Sequence, residues 1–586
     1  MRFTSISSLL LPLLCASFAS ALSVSDRSNV EIPPPTARQI ERRDSTVSVR
    51  TAKRGTFVGL SLSAVGQDQF SGIRYVQAPT ASTRFQRAKA LPDQDPSTIH
   101  QATATGAPCM QVAQGSLTAA QVSEDCLFMQ IIRPHGISSS NPIPVVVFIH
   151  GGGWAHGAST FDVYNGTALV QGSVAQKQPI IFVNFNYRLG VFGFLGGKDM
   201  QSADAQGTAN LNTGYWDQHD ALRFIQENIG AFGGDPNRVT IWGQSAGAAS
   251  VAAHVFANNG KAASGLFSKA IMESGSAQLY PRYSPTASTP QSQYQALLKM
   301  TSCTSLACLR KLPAATLNNA NVQIVRNGST TFSPTLDSYF HTMPPSQALA
   351  AGSFADVPIL MGVNLDDGTF VPSCSLMDTN SDLQSFFQSQ YGSASAVSSL
   401  LREYPDNVAQ DCPFRPELYG VSPTDRFYGL TSQYKRCTAI ETDLLFVAGM
   451  RSMLSAAAKR NTHAAYGYLW AQRTSNNGVA AKGVTHSCEL GMVFNRPTLG
   501  GQSDAAAQRY ASDSSITATT NHMVTSLLTF VNNGNPNSQN FPSWPAYGPK
   551  AQIMQFQGTY NTTVISDTYR SSQVNSLLSQ VDSFGI

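Results

Sequence analysis

The stretch that most constrains the fold is Ile143 to Ile149, Ile-Pro-Val-Val-Val-Phe-Ile, which runs straight into His150, Gly151, Gly152, Gly153 and Trp154. An almost unbroken apolar run reads as a strand buried on both faces, the habit of parallel sheets covered by helices. Three consecutive glycines carry a large backbone-entropy cost. A merely flexible loop would seldom follow a buried strand with no polar spacer. The glycines are therefore read as a close backbone approach, with N–H donors for the negative oxygen of a tetrahedral intermediate. Gly152 and Gly153 are the expected donors, joined by Ala246. Trp154 either borders a substrate pocket or packs in the core.

Further along stands Gly243-Gln244-Ser245-Ala246-Gly247. As a bare pentapeptide it is weak, but Arg238 to Trp242 reads as a strand and Ala246 to Phe256 as a small-residue helix. The serine then sits on a sharp strand-to-helix turn, where flanking glycines avoid bulk and Ser245 Oγ projects above the sheet. Such a nucleophile needs a base and an orienting acid, which follow it in the order Ser, Asp or Glu, His. Val357 to Val363 reads as a strand, followed by Asp366 and Asp367, and either could be the acid or a turn former. Three later histidines compete as base. His463 precedes the strand Ala464 to Ala471 and lies at the wrong end of the sheet, while His522 falls in the helical pattern Thr517 to Val531. His486, in the loop beyond the strand, is best placed.

Composition narrows the rest. The chain has 586 residues, 42% of them hydrophobic and only 13% charged, about half the roughly 25% charge usual in soluble domains. That is ample core material, which excludes intrinsic disorder. With 39 Lys+Arg against 35 Asp+Glu, too little positive excess remains for a nucleic-acid footprint. A length prior suggests about four domains, but the oxyanion loop, nucleophile, acid and base must converge, so one large domain over 44–586 is expected.

The N-terminal stretch predicts export. Arg2, the leucines Leu9, Leu10, Leu11, Leu13 and Leu14, and the small residues Ala19, Ser20 and Ala21 read as a signal peptide over 1–21. Residues 22–43 read as a pro-segment ending in the dibasic Arg42 and Arg43. Nine cysteines, less Cys15, leave eight in an oxidising compartment, and proximity pairs Cys109 with Cys126 and Cys303 with Cys308. Asn165, Asn327 and Asn561 head sequons for glycosylation. With no lipid-anchor tail after Thr563, a secreted extracellular product without a stable membrane anchor is expected.

On these residues the chain resembles the type-B carboxylesterase and lipase family of the α/β-hydrolase fold, whose members include secreted fungal enzymes. The resemblance also runs through Phe70 to Tyr75, Glu124 to Phe128, Asn184 to Phe194, Asp217 to Gly247, Gly265 to Gly275 and Gly362 to Gly368. It implies a central, mostly parallel sheet flanked by helices, with large loop and helical insertions. It further implies Ser245 as nucleophile, Asp367 as acid, His486 as base, and Gly152, Gly153 and Ala246 as oxyanion donors, acting on a small-molecule or lipid ester without cofactor or metal. The family more often has Glu at the acid position, and Glu where Gln244 precedes the nucleophile. The family also pairs the cysteines around the Cys109 to Cys126 loop. That loop is short here, whereas long-lidded lipases carry their flap in it, which favours an open-gorge esterase over an interfacially activated lipase. No Trp falls inside it, which disfavours choline esters. If Asp367 reaches His486, then Cys374 and Cys488 share a region and are expected to bridge, leaving Cys412 for Cys437. A metal held by His486 and Cys488 lacks a further ligand pair at zinc-like spacing. The rival of another class is a non-catalytic adhesion homologue, which would typically have lost a triad member.

Overall fold

The computed structural model describes residues 45–112, 117–118, 120–279, 283–326, 331–408, 411–412, 422, 425, 430–472, 480–496, 514–558 and 562–584. The signal peptide and pro-segment read over 1–21 and 22–43, and the sequons at Asn327 and Asn561, lie outside them.

Apolar strands set the architecture. Ile143–Ile149 is buried at every position, as are Ile181–Phe185, Lys269–Glu273, Ile359–Asn364 and Ala465–Trp470. Strands of this kind can only sit in a sheet interior with both faces covered. Among the described residues thirteen strands form one sheet. The N-terminal group is β1 Ser45–Arg50, β2 Arg54–Leu62, β3 Gln67–Arg74, β4 Gln94–Gln101 and β5 Phe128–Pro134. The central group is β6 Ile143–Ile149, β7 Ile181–Phe185, β8 Gly234–Gln244, β9 Lys269–Glu273, β10 Ile359–Asn364 and β11 Ala465–Trp470, closed by β12 Gln552–Phe556 and β13 Thr563–Ser566. Their order is β1-β2-β3-β5-β7-β6-β8-β9-β10-β11-β12-β13, with β4 paired to β2. The run from β7 through β12 is parallel, and the sheet margins are antiparallel. β4, away from this centre, alternates half-buried and exposed residues in the two-residue period of a half-wet strand. Helices Ala246–Phe256 and Ser514–Asn533 both pack on β6 and β8, which makes this the α/β-hydrolase architecture.

Register decides where chemistry can happen. Ile149 pairs with Gly243, Gln244 with Glu273, Glu273 with Gly362, and Asn364 with Trp470. Five strands thus end along one edge, and the loops leaving them open onto a common space, where ligands bind in parallel sheets.

Two expectations are corrected here. Cys109–Cys126 and Cys303–Cys308 are bridged, but Cys374 pairs with Cys437 and not with Cys488. The short turn Pro372–Leu376, which carries Cys374, packs on helix Tyr434–Thr442, which carries Cys437. The acid loop therefore runs away from the base loop before Cys374 is reached. Cys488 stays below, its Sγ 3.6 Å from Asn364 Nδ2. Cys412, expected opposite Cys437, is a buried free thiol between Thr442 Oγ1 at 3.5 Å and Arg570 Nη1 at 3.4 Å. Of the two roles open for Trp154, the structure takes the core one: it is fully buried, and its indole N–H reaches Ser250 Oγ at 3.3 Å.

Candidate active site

Ser245 is the hinge between β8 and the helix Ala246–Phe256, with φ 59° and ψ −128°. A non-glycine residue in that region is strained by about 1–3 kcal/mol and persists only where packing over-determines it. The packing is close on both sides. A Cβ on Gly247 would lie 2.0 Å from Ile149 O, and one on Gly275 2.4 Å from Ser245 O. Ser245 N–H donates to Glu273 O at 2.9 Å, tying the turn to the end of β9. The turn points Oγ out of the sheet edge, and Ala246 opens the helix with its free backbone donors and positive dipole end.

The loop after β6 lies against this turn, since a Cβ on Gly151 would meet Ser245 Cβ at 3.0 Å. Gly152 and Gly153 have φ of 102° and 62°, a left-handed course that costs glycine least. Two buried histidines border the loop. Burial pushes His150 down to about 4, offset in part by its bond to Gly151, and burial does the same to His156. Both are neutral near neutral pH, so neither adds a positive charge to the loop.

The next two strand ends bring the remaining side chains. His486 Nε2 lies 2.8 Å from Ser245 Oγ, and His486 Nδ1 lies 2.8 Å from Asp367 Oδ1. Asp367 is fully buried, and its second oxygen accepts from Asn364 N–H at 2.7 Å and Ser274 Oγ at 2.9 Å. With three donors fixing two oxygens, the carboxylate has little freedom to turn. Asp366 instead anchors the base loop, since its carboxylate accepts from Val484 N–H at 2.9 Å and its own N–H donates to Val484 O at 3.1 Å. His463 is exposed before β11. His522 is buried against Phe541, with ring centroids 4.1 Å apart, and burial lowers it to about 4.

Several groups at the site were not singled out from the sequence. Phe370 and Phe446 pack against the His486 ring, at 4.7 and 4.9 Å between centroids, and against each other at 6.0 Å. Phe446 is delivered by a widened, π-type turn over Asp443–Val447, a local irregularity that often accompanies functional positions. Gln244, unlike these, was marked in the sequence by standing where the family has Glu; it donates to Ser487 Oγ at 2.8 Å, so its uncharged amide steadies the base loop. Ser274 had one available signal: it directly follows the apolar strand β9 at the chemically active edge. The helix delivering Phe446 carries no such marker.

Known proteins resemble this chain over most of its length. A family model described as the Carboxylesterase family matches residues 44–577. Secreted lipase 1 of Botryotinia fuckeliana is 31% identical, covering 93% of this chain and 95% of that protein. Secreted triacylglycerol lipase LIP1 of Gibberella zeae is 29% identical, covering 92% and 90%. Among solved structures, Aspergillus niger EstA superposes with a TM-score of 0.78 at 26% identity, covering 92% of this chain and 99% of that one.

Proposed function

The chain belongs to the carboxylesterase family, and from that premise we propose that it is a serine hydrolase that cleaves carboxylic esters through an acyl-enzyme on Ser245. The observation that carries the assignment of roles is the unbroken relay from Ser245 Oγ to His486 Nε2, and from His486 Nδ1 to Asp367 Oδ1, at 2.8 Å each.

Ser245 Oγ attacks the ester carbonyl while His486 Nε2 takes its proton. Asp367 keeps the other ring nitrogen protonated and stabilises the imidazolium. The carbonyl oxygen, now negative, accepts from the N–H groups of Gly152, Gly153 and Ala246, each such donor stabilising the transition state by about 2.7–4 kcal/mol. The carbon–oxygen bond to the alcohol breaks as His486 returns the proton to the leaving oxygen. Water then repeats the sequence on the acyl-enzyme and releases the acid. Phe370 and Phe446, in contact with each other, pack together against the imidazole ring.

Export is part of the same reading: the leader over 1–21, the pro-segment over 22–43 and a catalytic domain over 44–586 agree with relatives named as secreted. Asn165 is exposed and sits at the start of its sequon, in keeping with glycosylation there. No helix among the described residues is long and apolar enough to cross a membrane. The short Cys109 to Cys126 loop supports soluble esters as substrates. The relatives named lipases support a second reading, triacylglycerols at an interface.

The test is Ser245→Ala against the parent enzyme, assayed on a soluble short-chain ester and on an emulsified triglyceride. Removal of the nucleophile is expected to lower kcat by roughly 10⁶-fold on both. Retention of most activity overturns the assignment, and a parent rate that jumps at the emulsion moves the substrate to the second reading.

A further inference from the structure

His486 is fastened from one side by the acid loop. Thr485, the residue before it, accepts at its C=O from Asn364 Nδ2 at 2.9 Å and has its hydroxyl 2.9 Å from Thr369 Oγ1. Val484 is bonded to Asp366 through both of its backbone groups. The residue after the base is held differently. Ser487 has φ 65°, in the left-handed region that glycine enters freely and a residue with a side chain does not. A backbone of that kind persists where its surroundings over-determine it.

Among the described residues the Ser487 hydroxyl bonds to one side chain, Gln244, whose Nε2–H donates to it at 2.8 Å. Gln244 comes from the nucleophile's side of the site. It is the last residue of β8, directly before Ser245, and it is buried, with its backbone paired to Glu273 of β9. A Cβ on Gly151 would stand 3.2 Å from Gln244 Oε1, so the oxygen end of the amide lies against the glycine loop and the nitrogen end faces the base loop. From there Nε2 is also 3.4 Å from His486 Nε2. That is long for a strong bond, but it leaves the ring no room to swing toward β8. Ser245 and Ser487 both keep backbone conformations that cost a side chain, and Gln244 adjoins the first and grips the second.

We propose that Gln244 and Ser487 are a pair of positioning residues: the amide N–H grips the Ser487 hydroxyl, keeps that backbone in its left-handed turn, and so holds His486 Nε2 on Ser245 Oγ from the nucleophile's own strand. The proposal rests on the reading of His486 as the general base. Without the N–H, Ser487 relaxes to negative φ, the peptide after His486 turns with it, and the ring leaves Ser245. An imidazole that must find its place in every cycle costs rate and not substrate affinity.

The experiment measures kcat and KM separately on a soluble ester for the full-length parent, Gln244→Met, Ser487→Ala, Ser487→Gly and Gln244→Met/Ser487→Gly. Met matches Gln in length and has no N–H. Ala removes the hydroxyl but keeps the Cβ that makes the turn costly, whereas Gly removes both. Gln244→Met and Ser487→Ala are each expected to lower kcat by about tenfold, the size of one neutral hydrogen bond, with KM within roughly twofold of the parent. Ser487→Gly is expected to keep kcat within about threefold of the parent, because glycine holds the turn unaided, and on that background Gln244→Met adds little further loss.

A parental kcat in Gln244→Met overturns the proposal, and so does an equal loss in Ser487→Ala and Ser487→Gly. A Gln244→Met loss of full size on the glycine background, or a loss carried by KM and not by kcat, overturns it as well. If Gln244→Met fails to fold, the comparison of Ser487→Ala with Ser487→Gly decides alone, since Ser487 lies in a loop. Ser245→Ala separates the two failures: an active Ser245→Ala sinks the ester-hydrolase roles, whereas an inactive Ser245→Ala beside a fully active Gln244→Met sinks only the positioning pair.

Discussion

Asp366 and Asp367 are chain neighbours of identical chemistry with different work, and the backbone alone decides which does what. Asp367 enters a short helical turn and turns inward to His486 Nδ1, while Asp366 is held against Val484. Asp367→Asn leaves an amide in the same place and is expected to lower kcat by about 10⁴-fold, because it supports the wrong imidazole tautomer. Asp366→Asn loosens the base loop and should cost far less. Steady-state rates on a soluble ester check both, and equal losses would refute the division of labour. The candidate site could be read in the sequence as far as the positions of Ser245, His486 and the glycine loop after β6, because strand-to-loop transitions mark them. Choosing between the aspartates took a family resemblance, since nothing in Asp-Asp-Gly says which carboxyl points inward. Phe370 and Phe446 could not be found that way, because their roles come from tertiary proximity, and Ser274 offered only its place directly after β9.

At the scale of elements, runs such as Ile143–Ile149 and Ala246–Phe256 matched the observed strand and helix at both ends. A fully buried element leaves no polar residue to blur its boundary. The cysteines failed the opposite way. Nearness to Asp367 and His486 along the chain did not translate into nearness between Cys374 and Cys488, since a loop can reverse within a few residues. A very tight joint between elements is the contact of the helix Ala246–Phe256 with β6 at Gly247, where an added methyl would stand 2.0 Å from Ile149 O. Gly247→Ala must push the helix off the sheet or shift Ile149, a loss at or near the upper end of the roughly 1–3 kcal/mol typical of overpacked cores. Gly230→Ala, where an added Cβ meets nothing within 4 Å, is the control. Chemical denaturation should separate the two, and a Gly247→Ala midpoint equal to that of Gly230→Ala would refute the argument.

Over the whole molecule, part of the sparse charge is used inside. Arg188 binds Asp217 at 2.7 Å and Arg570 binds Asp443 at 2.6 Å, all four buried. Buried ionisable groups of both kinds then shape stability against pH. Burial lowers His150, His156 and His522 to about 4 and His254 to about 3. Their contribution is complete above the ordinary histidine value and is lost as pH falls through these values. Burial raises Glu441 to about 8 and Asp411 to about 7. Their contribution is complete below the ordinary carboxyl value and is lost as pH rises through those values. The two sets oppose each other between about pH 4.5 and 6.5, given unfolded values near 4 for carboxyls and 6.5 for histidine. Four histidines outweigh two carboxyls across that window, so the Tm maximum is expected at its upper end, near pH 6.5, falling on both sides by pH 3.5 and pH 8. A Tm that climbs steadily to pH 9 in calorimetry would contradict this.

The relay at the site also couples activity to the history of the chain. Ser245 and His486 are 241 residues apart in sequence, with Asp367 119 residues before His486, so the loops that carry them close only when the central strands are all in place. Long-range closures of this kind come late in folding. Recovery of turnover after denaturation should therefore trail recovery of helical signal, and turnover becomes a stopwatch for the final docking of the sheet edge.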